Sequence, residues 1–246
     1  MSVEAGVGSP DFGPALEYHS ARPAYNRFAI EDLVVFAGVQ DWSPVLEIGA
    51  GTGRATVPLV RQLVSVHAID PSPDMLGVLR QTTAGRSVRS EQTTLEDGSF
   101  EPESFDLVVC AEAWHWLDPK TRYDNVRRIL KPGGTLSILY NELPSDISTA
   151  IQPLTTHDPF SAQSVFGELA QRDDFYQAHH RKYQNLTVLS FAELQKLLGT
   201  MSGYRQVPAL QREQVFSAIT SNMEHNSDGR HVKLPYTTSL LLAKRV

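Results

Sequence analysis

The chain has 246 residues, of which 41% are hydrophobic and 20% charged, and its formal net charge at pH 7 is −6. This length suffices for one large α/β domain, or for a domain with a cap, around a sizeable core. The negative charge and the lack of a dense Lys/Arg block argue against a nucleic-acid partner.

Cysteine content and hydropathy favour the cytoplasm. Cys110 is the single cysteine, which excludes an internal disulfide and fits a reducing compartment. Residues 1–20 carry no basic residue ahead of an apolar run, so we expect no signal peptide. No apolar run approaches the ~20 residues that span a bilayer. The sequence therefore predicts a cytoplasmic protein without membrane contact.

The first part of the chain leads into a sheet. Residues 1–11 contain Gly, Ser and Pro and are expected to be irregular. Residues 29–39 have the apolar spacing of a helix that packs on the sheet. Gly38 and Asp41 end this helix, and the first strand begins near Pro44.

Residues 45–59 organise the rest of the chain. Alternating apolar residues end a buried strand at Ile48, and three glycines follow at a spacing of two, namely Gly49, Gly51 and Gly53. A helical apolar pattern comes next. Such a strand, turn and helix let the backbone pass close to a ligand, because a Cβ would block both positive φ angles and the ligand's approach.

The spacing in this turn discriminates between ligands. In the dinucleotide fingerprint Gly-x-Gly-x-x-Gly, the third glycine packs the helix on the strand. Arg54 or Thr56 stands at that position here. Glu47, at the end of the strand, would repel a pyrophosphate and suits a ligand that carries ammonium and sulfonium groups. No Gly-Lys-Ser/Thr follows, so the phosphate-loop pattern is absent as well.

Two segments carry a resemblance to a known family. Glu47-x-Gly49-x-Gly51-x-Gly53 resembles the first motif of class I S-adenosylmethionine-dependent methyltransferases. Residues 12–25, with Ala15-x-x-Tyr18 and then Arg22-Pro23-x-Tyr25, resemble the N-terminal signature of a subgroup that acts on small molecules, the type 11-like methyltransferases. The resemblance covers residues 12–142 well and residues 200–246 loosely.

The resemblance implies a fold. We expect an α/β, Rossmann-like, doubly wound seven-stranded sheet of order 3-2-1-4-5-7-6, with the last strand antiparallel and an inserted, mostly helical cap. Residues 1–142 would form an N-terminal lid and the cofactor-binding core, and residues 143–204 a helical substrate cap. Residues 205–246 would supply a C-terminal helix and strands that complete the sheet.

Asp70 ends the second predicted strand, residues 64–69, and lies 17 residues beyond Gly53. A carboxylate there can accept hydrogen bonds from both ribose hydroxyls, and a helix N-cap ahead of Pro71 is the alternative. The segment from Pro71 to Met75 resembles the family's second motif. In that resemblance Ser72 and Met75 line the adenosine, although Met75 fits core packing equally well.

The remaining cofactor contacts also follow from the resemblance. The loop at Leu95 and Glu96 would face the adenine amino group, with Asp97 as the alternative carboxylate. Arg22 would pair with the cofactor's carboxylate through a bidentate fork, or is a surface arginine. In full, the resemblance assigns cofactor contacts to Tyr18, Arg22, Tyr25, Glu47, Gly49, Ala50, Gly51, Thr52, Gly53, Asp70, Pro71, Ser72, Met75, Leu95, Glu96, Ala111 and Glu112.

Residues 105–111 form the clearest buried strand, in which Cys110 reads as a core thiol. The strand runs into Trp114-His115-Trp116, at the edge where open parallel sheets bind ligands. We expect Trp114, Trp116 and Tyr140 to contact the substrate. His115 is the candidate general base, because its unperturbed pKa lies near neutrality; a substrate contact or plain packing is the alternative.

The second half of the chain is less regular. Helices are predicted at residues 121–130, 160–175, 191–198 and 211–219, with His179 to Lys182 in a connection between the second and third. The Leu-Lys-Pro-Gly-Gly segment that begins at Leu130 reads as a structural turn before a strand. Strands are expected at residues 232–243, with Leu234-Pro235-Tyr236 resembling a family turn. His179 and His180 lack partners at ligand spacing, so we expect no metal site.

The resemblance implies an S-adenosylmethionine-dependent methyltransferase that releases S-adenosylhomocysteine. Its acceptor would be an O, N or C atom of a small, aromatic or apolar metabolite, and the protein would act as a monomer or homodimer. Two alternatives stay open. One is a protein of the same fold that binds this cofactor without methyl transfer, as a regulator or a cyclising enzyme. The other is an NAD-dependent dehydrogenase.

Overall fold

A seven-stranded mixed sheet forms the centre of the protein in the computed structural model, which describes residues 13–62, 64–145, 147, 161–223 and 227–246. The predicted irregular segment, residues 1–11, lies outside the described residues. The strands are β1 (Pro44–Ile48), β2 (Ser65–Ile69), β3 (Val88–Glu91), β4 (Phe105–Ala111), β5 (Leu130–Glu142), β6 (Phe175–Ser190) and β7 (His231–Arg245).

The strand order is β3-β2-β1-β4-β5-β7-β6, which confirms the predicted order. Strands β1 to β5 are parallel, whereas β7 runs antiparallel to both β5 and β6. The prediction of an antiparallel last strand is therefore confirmed. Because β1 and β4 are neighbours but are not consecutive in sequence, the direction of winding reverses between them. Open α/β sheets bind ligands at such a reversal.

The described helices are α1 (Ala15–Ala21), α2 (Arg27–Ala37), α3 (Thr56–Val60), α4 (Pro73–Thr82), α5 (Arg122–Ile129), α6 (Ala162–Ala170), α7 (Phe191–Gly199), α8 (Ser202–Gln206) and α9 (Ala209–Asn222). Local chemistry sets several of their ends. The side chain of Asn26 accepts the Phe28 N–H at the start of α2, and Gly38 (φ 67°) ends that helix. Ser190 and Glu193 form a capping box on α7.

Strand β4 shows how the core is built. Val108 and Cys110 point into one buried cluster, and Leu107 and Val109 into another on the opposite face. All four side chains are fully buried. Both faces of the sheet are covered, which explains why this strand reads as one continuous apolar run.

Strand β6 corrects the prediction for the second half of the chain. Residues 175–190 form this strand along the whole of β7, where a helix ending at residue 175 and a connection at His179 to Lys182 had been expected. The predicted helix is shorter, since α6 ends at Ala170. Side chains along residues 182–188 alternate between exposed and half-buried, which is a strand period of two. The domain boundaries at residues 142/143 and 204/205 stay a prediction, although a sheet strand lies inside the segment expected to be helical.

The expected turn at Leu234-Pro235-Tyr236 is wrong, because these residues lie inside β7 and pair with β6. β5 pairs with β7 only from Thr237 to Lys244. At Pro235, β7 thus has no β5 partner. A strand tolerates proline, which has no N–H to donate, where one of its edges forms no hydrogen bonds to a neighbouring strand. Beyond the sheet, α7, α9 and the start of β7 enclose a third buried cluster that includes Leu194, Ile219 and Val232.

Candidate active site

A cleft of about 390 Å³ opens at the carboxyl ends of β1, β2 and β4. Its lining includes most of the residues that the sequence assigned to the cofactor. These are Tyr18, Gly49, Gly51, Asp70, Pro71, Ser72, Met75, Leu95, Glu96, Ala111 and Glu112. Trp116, predicted as a substrate contact, lines the cleft too. The strand ends and α1 therefore bring together residues from five separate stretches of sequence.

A smaller space of about 40 Å³, called here the inner cavity, adjoins this cleft. The two share Tyr18, Gly49, Gly51, Ala111 and Glu112. The inner cavity adds the predicted residues Arg22, Tyr25, Glu47, Ala50 and Thr52. Every predicted cofactor residue except Gly53 thus lines one of the two spaces.

The three glycines of the turn have different roles. Gly49 has a φ of 65°, and a Cβ there would lie 2.3 Å from the Cβ of Ala113. Gly51 has a φ of 54°, and the nearest protein atom to its Cβ position is a backbone oxygen 4.0 Å away. Gly53 lines neither space; its Cβ position lies 3.1 Å from Oγ1 of Thr82. Gly53 thus packs against α4, and its contact with the cofactor stays a prediction.

Asp70 joins the end of β2 to the glycine turn. Its Oδ2 accepts the N–H of Gly51 at 2.9 Å, and its Oδ1 accepts the N–H of Ser72 at 2.8 Å. Burial raises the pKa of Asp70, and these two N–H donors counteract the rise. A carboxylate has about four acceptor positions, so further donors can bind. Ser72, and not Asp70, caps α4.

The loop after β3 contains Glu96 and Asp97, the two candidate carboxylates for the adenine amino group, and only Glu96 lies at the cleft. Leu95 is buried, and both Leu95 and Glu96 line the cleft. Oε1 of Glu96 accepts the N–H of Asp118 at 3.3 Å. Asp97 lines neither space, and its Oδ2 accepts the hydroxyl of Thr94 at 2.9 Å. Glu96 is therefore the carboxylate at this end of the cleft.

Two carboxyl groups line the inner cavity. Glu47 is 1% exposed, burial raises its pKa to about 8, and its Oε2 has no hydrogen-bond partner among the described residues. Burial also raises the pKa of Glu112, whose Oε1 accepts the N–H of Asn141 at 2.6 Å. Glu112 has a φ of 59°, a strained backbone position for a non-glycine residue. Unpartnered and strained groups of this kind concentrate at functional sites.

Helix α1 and the linker after it cover the site. Nδ1 of His19 lies 3.0 Å from Oγ1 of Thr52 in the glycine turn. Nη2 of Arg22 donates to the carbonyl of Thr200 at 3.0 Å. Nδ2 of Asn141 donates to the carbonyls of Pro23 and Ala24, at 3.2 Å each. The predicted N-terminal lid is thereby attached to the turn, to the sheet and to the residue after α7.

The Trp-His-Trp segment divides between core and cleft. Trp114–Trp116 form a 3-10 helix, in which side chains two positions apart point in different directions. Trp116 lines the cleft, whereas Trp114 is fully buried against Tyr123, with ring centroids 5.0 Å apart. Trp114 lines neither space, so the expected substrate contact of this residue is not supported.

Tyr140 and His115 also lie outside the two spaces. Tyr140 is 3% exposed and belongs to the core cluster behind the cleft, which does not fit the expected substrate contact. His115 is exposed, and its ring lies 4.7 Å from that of Trp116 and 6.1 Å from that of Tyr140. Its role as a general base stays a prediction.

Sequence reasoning missed several lining residues. Ile48, Ile69, Thr93, Thr94 and Ala113 line the cleft, and their positions at strand ends were a usable signal. Asp74, Leu117, Gly13 and Ala15 line it as well. In the inner cavity the missed residues are Pro23, Arg54, Ala55, Leu143 and Leu197. Leu197 comes from α7 and carried no local signal.

The described residues contain neither a candidate membrane span nor a candidate metal site. None of the helices in these ranges is long and apolar enough to cross a membrane. Within the same ranges, no three His, Cys, Asp or Glu side chains are grouped so that they could hold a metal ion.

Part of the chain is similar to known methyltransferases. Residues 46–138 match the family described as methyltransferase domain. An uncharacterised methyltransferase of Mycobacterium tuberculosis strain H37Rv is 39% identical over 137 residues, which cover 54% of this chain and 53% of that protein. The chain thus spans about half the length of this curated relative.

Solved structures agree on the fold. The YcgJ protein of Bacillus subtilis superimposes with a TM-score of 0.58 at 18% identity, over 89% of this chain and 99% of that one. A phosphoethanolamine N-methyltransferase of Haemonchus contortus, solved in complex with S-adenosyl-L-methionine, gives a TM-score of 0.60 at 17% identity, over 94% and 56% of the two chains. Residues 46–138 thus match a methyltransferase domain, and the chain shares the fold of these solved structures.

Proposed function

We propose that this protein transfers the methyl group of S-adenosylmethionine to an O, N or C atom of a small, aromatic or apolar metabolite and releases S-adenosylhomocysteine. The cleft and the adjoining inner cavity at the strand ends carry the proposal. Their lining includes Asp70, Glu96 and Glu47, which would accept hydrogen bonds from the ribose hydroxyls, the adenine amino group and the ammonium group of the cofactor, respectively. We further propose that the protein acts in the cytoplasm, as a monomer or homodimer, on free metabolites and not on nucleic acid.

The residues present fit the cofactor. Asp70 keeps acceptor positions for ribose hydroxyls, and Leu95 and Met75 offer apolar surface to adenine next to Glu96. Oε2 of Glu47, buried and without a partner among the described residues, suits an ammonium group. Gly51 leaves open the place that a Cβ would fill. A dinucleotide is disfavoured, because Arg54 or Thr56 stands where the dinucleotide fingerprint has the third glycine that packs the helix on the strand.

When bound, the cofactor supplies an electrophilic methyl group on its sulfonium. The main task of the chain's own residues is then to hold the acceptor's nucleophile in line, and such positioning can supply ~7–11 kcal/mol. Tyr18 and Trp116 offer aromatic walls for a flat or apolar acceptor and exclude water. His115, beside Trp116, would accept a proton from acceptors that carry one, a contribution of roughly 10²–10⁴-fold.

Calorimetric titration with S-adenosylhomocysteine tests the cofactor site. We expect Asp70→Asn to weaken binding at least tenfold, because a hydrogen bond to a charged acceptor contributes roughly 1.5–3 kcal/mol. Asp97→Asn is the matched control, since Asp97 lies in the cleft's neighbourhood but lines neither space. Absence of binding to the unmodified protein, with binding of NAD instead, would refute the proposal.

Incubation with methyl-labelled cofactor tests the transfer step. Pools of small aromatic phenols, amines and enolisable ketones serve as acceptors, and label in a small product is the expected result. Binding of the cofactor without any labelled product would favour the alternative, a protein that binds this cofactor without methyl transfer.

A further inference from the structure

The inner cavity contains an arginine that the cofactor assignment leaves unused. Arg54 directly follows the glycine turn and is half-buried. Its Nη1 donates to the carbonyl of His19. The other edge of the guanidinium, formed by Nε and Nη2, has no hydrogen bond to the described residues, and the Nε is buried. That edge is one with which arginine binds a carboxylate in bidentate fashion.

Arg22 reaches the same cavity from the linker after α1. Its Nη2 donates to the carbonyl of Thr200, and its Nε is buried without a partner among the described residues. Neither Arg22 nor Arg54 takes part in the ion pairs found among the described residues. Two guanidinium groups therefore line one small space, and each has a buried Nε–H without a hydrogen-bond acceptor among the described residues.

The charges around the cavity favour an anion. Arg22 and Arg54 line the same small space. Burial lowers the pKa of Arg54, nearby tyrosines partly counteract this, and the positive charge of Arg22 adds a smaller lowering, as expected for two guanidiniums that repel each other. Glu47 and Glu112 line the same cavity, but burial raises the pKa of both, to about 8 for Glu47. Near neutral pH the carboxyl group of Glu47 therefore offsets the positive charge of the two arginines only in part. A bound carboxylate would relieve the repulsion and satisfy the buried donors.

We propose that Arg22 and Arg54 form a two-arginine carboxylate clamp in the inner cavity, with Arg54 supplying the bidentate edge. The clamp rests on the proposed function, because its carboxylate comes either from the amino-acid part of the cofactor or from the acceptor. In both cases Arg54 selects for a ligand with a carboxylate next to the methyl-transfer position. It is a binding residue that the motifs in the sequence did not indicate.

The test compares two ligands that differ in one group. S-adenosylhomocysteine carries the carboxylate, and its decarboxylated analogue, S-adenosyl-3-thiopropylamine, keeps the adenosine, the sulfur and the amine. Both are titrated by calorimetry into the unmodified protein, Arg54→Gln and Arg54→Lys. Arg61→Gln is the control, because Arg61 is exposed, lies seven residues further on and lines neither space.

If the cofactor supplies the carboxylate, Arg54→Gln weakens the binding of S-adenosylhomocysteine about tenfold or more, and the binding of the analogue less than about threefold. Arg54→Lys keeps the charge but not the planar edge, so we expect it to recover only part of the loss. If the acceptor supplies the carboxylate, both nucleosides bind Arg54→Gln normally. The protein loaded with S-adenosylhomocysteine then binds succinate, and the variant does not.

Two results would overturn the clamp. Equal weakening of both nucleosides would mean that Arg54 acts only by holding α1 through His19. Unchanged binding of both nucleosides, without succinate binding to the loaded protein, would leave Arg54 with no anion to hold. A failed clamp is distinguishable from a failed function: the analogue still binds the unmodified protein in the first case, and neither nucleoside binds it in the second.

Discussion

Replacing Gly49 by alanine tests the geometry of the glycine turn most directly. The new Cβ would lie 2.3 Å from the Cβ of Ala113, a separation that folded proteins do not show. The backbone φ of 65° adds strain, because an L side chain there crowds the carbonyl oxygen. The same substitution at Gly51 has similar strain (φ 54°) but no close protein neighbour.

The magnitudes follow from these two effects. A left-handed backbone costs an L residue about 1–2 kcal/mol, and forcing a methyl group into filled space costs about 1–3 kcal/mol. Gly49→Ala should therefore lower the free energy of unfolding by about 2–5 kcal/mol. Gly51→Ala should lower it by only about 1–2 kcal/mol, because strain is its main cost, yet it should weaken cofactor binding by filling the cleft.

Urea denaturation followed by circular dichroism measures the stability, and a double-mutant cycle isolates the clash. Ala113→Gly removes the methyl group that Gly49→Ala would meet. The double variant should recover about 1–3 kcal/mol relative to the sum of the single variants. A coupling energy near zero, or a Gly49→Ala protein as stable as the unmodified one, would refute the reasoning about this turn.

Three further predictions concern single side chains. Burial raises the pKa of Glu47 to about 8, so the folded state keeps a proton that the unfolded chain loses at lower pH. Through this group, the free energy of unfolding should fall by up to ~1.4 kcal/mol per pH unit between pH 5 and 8. Urea denaturation of Glu47→Gln should show a smaller fall over this range, and an equal fall in the variant would contradict a raised pKa of Glu47. Cys110 is fully buried and burial raises its pKa, so a thiol reagent should modify it only in urea, and rapid reaction of the folded protein would place it elsewhere. His115→Ala should lower turnover more than cofactor affinity, because His115 lines neither space; the reverse pattern in paired kinetic and calorimetric measurements would exclude it as the base.

Short-range signals in the sequence were sufficient for the parallel half of the sheet. Residues 105–111 were predicted as a strand and form β4 with the same limits, because a fully apolar run of this length has few alternatives. The meeting of most predicted cofactor residues around the cleft and the inner cavity was likewise predictable, since strand ends meet at one edge whatever the details of the helices. Just after the end of this strand, the same kind of reasoning could not orient Trp114 and Trp116, because only the rotation of the 3-10 helix decides which one faces the cleft.

Longer-range features were not predictable in this way. β6 mixes polar and apolar residues, and its side chains alternate between exposed and half-buried from Lys182 to Val188. In the sequence this alternation indicates a strand only weakly, compared with the apolar spacing that indicates the neighbouring helices. Its identity as a strand depends on pairing with β7, more than forty residues away in sequence for most of its length. Arg54 and Leu197 meet in the inner cavity only after α1 and α7 have packed over the glycine turn.

The position of β7 between β5 and β6 has a consequence for synthesis on the ribosome. Ala24, near the beginning of the chain, has its carbonyl held by Asn141 and by the hydroxyl of Tyr236, and the N–H of Asn26 is held by Thr238. These last two partners emerge some two hundred residues later. A nascent polypeptide that stops before residue 231 would therefore contain all the parallel strands but would lack the β7 side chains that hold the segment after α1. We expect it to bind a ligand only after β7 has been synthesised.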